Sequence, residues 1–135
     1  LFRQRPQFAD FFLALDAFSS DSVPVHLLTR EAFAIYARHL RQPGGGLIAV
    51  HISNRYLDLR PVVMQMARHL GWNAWFIQQK SGNVQGVSSS HWILMSPPEF
   101  PMISEVVRAA KSTVEDATPC RLWTDDYSNL FGILR

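Results

Sequence analysis

The sequence predicts an α/β fold, and three observations carry that expectation. Short, nearly continuous apolar runs alternate with stretches whose apolar residues recur at helical spacing. The helical stretches are bounded by residue types that suit helix ends. The last two strand-like runs are joined by a loop too short to hold a crossover helix, so they form an antiparallel pair at one edge of a mostly parallel sheet. The chain has 135 residues, of which 47% are apolar and 18% charged. That length and balance describe one domain over residues 1–135 with a sizeable core, since a disordered chain carries fewer large apolar residues and more charge.

The first strand is read over Phe8–Leu15, a short run rich in aromatic residues that ends at Asp16. Thr29 then caps a helix whose apolar positions Phe33, Tyr36, Ala37 and Leu40 follow the 3.6-residue period. The Pro43-Gly44-Gly45-Gly46 segment stops it, and Leu47–Ile52 forms the second strand, apolar throughout as a strand covered on both faces tends to be. Asp58 is the expected cap of a second helix with Pro61 in its first turn. Val62, Val63, Met66 and Leu70 form its buried stripe, and Gly71 ends it. Strands over Asn73–Gln79 and His91–Ser96 flank a Gly/Ser-rich loop, Lys80–Ser90. After Pro97-Pro98 a last helix is expected to bury Met102, Ile103, Val106, Val107 and Ala110. The apolar tail Cys120–Arg135 is expected to pack back on the body.

Several function classes are disfavoured by composition. Thirteen basic against eleven acidic residues give a net charge of +2, and the basic residues are scattered, so no nucleic-acid footprint forms. One cysteine, Cys120, excludes an internal disulfide framework and suits a reducing, cytoplasmic setting. No apolar run approaches the roughly 20 residues of a membrane helix. Leu1 follows no signal-peptide pattern, and its position just ahead of an apolar segment reads as the start of a piece cut from a longer chain. The five histidines lack metal-ligand spacing, so no metal is expected. His39 and His69 fall near helix C-termini, where the dipole accounts for them. Trp72, Trp75 and Trp92 read as hairpin and core packing in preference to a stacking platform.

Chemistry is expected beyond the carboxyl ends of the strands, where open α/β sheets bind ligands. Asp16 ends the first strand against an apolar wall, and Asp21 follows across a small-residue loop, so both carboxylates could face one cationic ligand. Capping of a turn is an equally good account of Asp16. His51 and Asn54 follow the second strand and could line the same crevice or form a satisfied polar pair. Asp125 and Asp126 could attract an amine, although capping of a terminal turn after Thr124 accounts for them better.

The segment Asp16-Ala-Phe-Ser-Ser-Asp-Ser-Val-Pro-Val-His-Leu-Leu-Thr-Arg-Glu-Ala-Phe33 resembles the corresponding part of spermidine-synthase-like proteins, closest to the bacterial group fused to a membrane-spanning region. The likeness continues through Pro43-Gly-Gly, His51-Ile-Ser-Asn-Arg-Tyr-Leu-Asp-Leu59 and Trp123-Thr-Asp-Asp-Tyr-Ser-Asn-Leu130. It implies the carboxyl-terminal half of a class I S-adenosylmethionine-dependent methyltransferase-like Rossmann sheet, ending in an antiparallel strand pair. It implies aminopropyl transfer from decarboxylated S-adenosylmethionine to putrescine or a similar amine. Asp16 would accept the amine's proton, and Asp21, in a gating loop with Ser19 and Ser20, would hold the substrate ammonium. An alkylammonium like that of lysine has a pKa near 10.4, so deprotonating it at pH 7 costs about 4.6 kcal/mol, and a positioned base has work to do.

This sequence departs from the family in two places. Ala17 and Phe18 separate Asp16 from Ser19-Ser20-Asp21, and Ser22-Val23-Pro24 stands where a Gly-Pro is usual. The hairpin carries Asn83-Val-Gln-Gly-Val-Ser-Ser-Ser-His91 in place of a Pro-Thr-Tyr-Pro-Ser-Gly segment that shapes the amine pocket. Gly44–Gly46 follows a helix instead of opening one, so it is a turn and no phosphate cradle. The nucleotide-binding strands are expected before Leu1, and the piece alone is expected to be inactive. Without them the Phe8–Leu15 strand becomes an apolar edge through which copies associate. Two alternatives stay open: another S-adenosylmethionine-dependent transferase, and a non-catalytic polyamine-binding domain that regulates a membrane protein.

Overall fold

In a computed structural model, residues 12–16, 24–40, 46–54, 56–79, 90–99, 104–113 and 120–134 are described. The elements are β1 (Phe12–Leu15), α1 (Arg30–His39), β2 (Leu47–His51), α2 (Arg60–Leu70), β3 (Asn73–Gln79), β4 (Ser90–Ser96), α3 (Ser104–Ala109) and β5 (Ser112–Thr113). Short 3-10 turns at Val25–Leu28 and Phe131–Ile133 complete them. The strands make one five-stranded mixed sheet in the order β1-β2-β4-β3-β5. The α/β class is therefore present. The expected mostly parallel sheet is not: β1 and β2 pair in parallel, whereas β2–β4, β3–β4 and β3–β5 are antiparallel. The cause is that β4 turns back and inserts between β2 and β3 while β5 pairs on the far side of β3, so both hairpin strands lie inside the described sheet.

α1 starts where Thr29 adopts an extended backbone and its hydroxyl accepts the Ala32 N–H at 3.2 Å, which satisfies one of the orphan donors of the first turn. Phe33 and Tyr36 are its buried residues, meeting edge to face with centroids 5.1 Å apart. The Tyr36 hydroxyl donates to the Leu27 carbonyl at 3.0 Å, tying the helix to the turn before it. Burial pushes the Tyr36 phenol above its ordinary value.

In β2, the successive residues Ile48, Ala49 and Val50 are all buried, which requires cover on both faces because neighbours point to opposite sides. α2 packs against β3 and β4 through Val62, Val63, Met64, Met66 and Ala67. Its cap position is Leu59, one residue beyond the expected Asp58. Asp58 still serves the helix start: its carboxylate accepts the Arg60 N–H at 3.2 Å and pairs with the Arg60 guanidinium. Gly71 closes α2 at φ +71°, with its N–H on the Arg68 carbonyl and the Trp72 N–H on that of Ala67. Those two reverse bonds cap carbonyls the helix leaves open.

The last helix is corrected by the structure. α3 has six residues and buries none of them, and Val107 is 48% exposed. A helix of fewer than two turns presents no continuous stripe, and the chain returns at once to the sheet, where the Lys111 N–H donates to the Phe76 carbonyl. Met102 and Ile103 lie outside the described residues, as do Phe8–Phe11, residues 43–45 and residues 80–89.

The tail does pack back. Trp123 is among the largest fully buried side chains, and its carbonyl accepts the Arg30 N–H at 2.8 Å. Leu134 bridges Leu57, and the Ile133 carbonyl accepts the Asp58 N–H at 2.7 Å. Among the described residues, no helix is long and apolar enough to cross a membrane.

Candidate functional site

The register of three adjacent strands builds the site. Leu15 lies opposite Val50 in the parallel β1–β2 pair, so the next residues, Asp16 and His51, come side by side. His51 lies opposite Trp92 in the antiparallel β2–β4 pair, and facing residues of such a pair share one side of the sheet. The result is a row of three side chains: a carboxylate, an imidazole and an indole.

Asp16 and His51 are in contact, with Oδ1 2.7 Å from Nδ1. The carboxylate is the open partner, 59% exposed, while the imidazole is 15% exposed. An ionised carboxylate only accepts, so Nδ1 is the donor of this contact. The other side of the imidazole is held by Trp92, stacked with ring centroids 4.6 Å apart and planes 27° from parallel.

The strand exit behind this row is clamped. The Ile52 N–H donates to the His91 carbonyl at 2.9 Å, and the His91 N–H donates to the Ser53 hydroxyl at 2.7 Å. Asn54 turns the chain away: its side-chain oxygen accepts the N–H groups of Tyr56 and Leu57, both at 3.0 Å. Asn54 thus shapes the loop, and the partner of His51 at the strand end is Asp16, a contact that the sequence reading did not name. Ser19, Ser20 and Asp21 lie outside the described residues.

No family model, no curated protein and no solved structure matches this chain.

The acidic pair of the tail has a structural place. The Asp126 N–H donates to the Thr124 hydroxyl at 3.2 Å, so Thr124, with Asp125 and Asp126 both exposed beyond it, caps the turn. The Asp125 N–H donates to the Glu31 carboxylate at 3.1 Å. Partial burial raises the Glu31 pKa, but the backbone N–H groups of Glu31 and Asp125 and the neighbouring Arg30 outweigh it, and the net direction is down. An open groove of about 490 Å³ runs here, lined by Leu27, Glu31, Tyr36 and Asp125 among others. None of Asp16, His51, Asn54 and Trp92 lines it.

Sequence reasoning preferred packing to stacking for Trp92, and it missed the Ser53–His91 clamp. Trp92 reads as packing when the hairpin is considered alone. Only the pairing of β4 with β2 brings it over His51. Cys120 is half-buried, its thiol pushed up by burial. Among the described residues, no three His, Cys, Asp or Glu side chains gather as a metal would require.

Proposed function

We propose that the chain is the carboxyl-terminal part of a spermidine-synthase-like aminopropyltransferase, acting in the cytoplasm on an amine of the putrescine type. The observation that carries this reading is the Asp16–His51 pair at 2.7 Å, set where the first strand of the sheet ends. An open carboxylate there attracts an alkylammonium, and the pair can take up the proton the amine must lose. The resemblance over Asp16–Phe33 and Trp123–Leu130 supports the same reaction, and an α/β sheet that ends in an antiparallel strand pair fits it.

In the reaction the amine's lone pair attacks the aminopropyl carbon bound to the sulfonium of decarboxylated S-adenosylmethionine. A C–N bond forms, the C–S bond breaks, and its electron pair leaves with sulfur as methylthioadenosine. The residues described here supply the amine side of that transfer. Asp21, with Ser19 and Ser20, would hold the second ammonium of the acceptor.

A second reading has its own support in the hairpin segment Asn83–His91, which lacks the family's pocket-shaping residues. It makes the chain a polyamine-binding domain that regulates a membrane protein. The two are separated by methylthioadenosine release from the full-length protein, given decarboxylated S-adenosylmethionine and a panel of amines. Release that requires an amine and falls at least about 100-fold in Asp16→Asn supports the transferase. Polyamine binding without release supports the regulatory domain.

A further inference from the structure

The pair poses a question that the resemblance does not: which of its atoms receives the proton. The Asp16 oxygen nearest His51 is already occupied, 2.7 Å from Nδ1. The carboxylate therefore holds the ring with Nδ1–H toward itself and turns the basic Nε2 away. No hydrogen bond occupies Nε2 among the described residues. Trp92 stacks on the ring and fixes its plane. An imidazole held by a carboxylate on one nitrogen, with no hydrogen bond on the other among the described residues, is the arrangement of a general base with its orienting group.

We infer that His51 Nε2 is the proton acceptor of this site and that Asp16 is its positioning residue. The inference rests on the transferase reading and refines it. The substrate ammonium gives one proton to Nε2, which frees the nitrogen lone pair. That pair forms the C–N bond while the C–S electrons pass to sulfur. The sulfonium becomes a neutral thioether, the product is a secondary ammonium, and the imidazolium returns its proton to water. Two neighbours stabilise the imidazolium while it lasts: the Asp16 carboxylate on Nδ1 and the π face of Trp92. Chemistry favours this assignment, because an ordinary imidazole is a stronger base than an ordinary aspartate by about 2.6 pK units. The proton of an alkylammonium therefore has a shorter climb to the ring.

Two measurements on the full-length protein test the inference. In the first, nitrogen NMR of the neutral His51 ring reads the Nδ1–H tautomer in the wild type, and the preference is lost in Asp16→Ala. A wild-type ring in the Nε2–H form overturns the inference. In the second, methylthioadenosine release is compared between wild type and His51→Ala. We expect kcat to fall by about 10²–10⁴-fold and to recover in part when imidazole is added to the buffer. That recovery cannot come from a variant that has failed to fold. Wild-type release that survives His51→Ala within about threefold overturns the inference alone and returns the proton to Asp16. Absence of release from the wild type overturns the transferase reading and the inference together.

Discussion

Two helices of this chain carry similar apolar spacing and end in opposite states. α2 has eleven residues and buries five of them under the sheet, while α3 has six and buries none. α2 is also closed at both ends, by the Asp58–Arg60 contacts and by Gly71 with its pair of reverse hydrogen bonds. α3 shows an exposed Glu105–Arg108 pair at 3.9 Å and a Ser104 hydroxyl 3.5 Å from the Glu105 carboxylate, exposed contacts that contribute little in water. Apolar periodicity defines which face a helix can bury. Length and an available partner surface decide whether that face is buried.

The sharpest way to break this comparison is to empty α2. Met66 is fully buried, and Met66→Ala should cost about 2–5 kcal/mol in urea unfolding, by lost transfer energy and a residual cavity. A cost below about 1 kcal/mol would place the core elsewhere. A smaller effect is expected at the end of the same helix. A methyl group added at Gly71 meets nothing within 4 Å, so Gly71→Ala isolates the conformational cost of φ +71°, about 1 kcal/mol. The smallest effect belongs to α3. Val107→Ser should change stability by no more than about 0.5 kcal/mol, the range of surface substitutions, and a larger loss would show that α3 buries this residue in solution.

Local chemistry was legible in the sequence, and sheet order was not. Thr29 and Gly71 announce helix ends because capping depends on a few adjacent residues. The Asp58 expectation missed the cap position by one residue because its carboxylate reaches over Leu59 to the Arg60 N–H. The two-residue β5 is too short to show a period, and its existence depends on the edge of β3 being open to it. The candidate site follows the same division. Asp16 and His51 are each recognisable as strand-end residues. Their contact depends on the β1–β2 register, and Trp92 joins them only because β4 lies between β2 and β3. Neither relation is written in residue spacing, since both are set by tertiary pairing. Ser19, Ser20 and Asp21 fall outside the described residues, so the amine-holding half of the expectation rests on the sequence alone.

The way the tail straps the body has a consequence in time. The contact between Asp125 and Glu31 joins residues 94 positions apart. At roughly 5–20 residues per second of synthesis, the start of α1 waits ~5–19 s for the residues that will cover it. Throughout that interval the seat of Trp123 is bare apolar surface on a nascent chain. The strap arrives long after the helix it covers, and a newly made molecule is open to wrong contacts there until it closes.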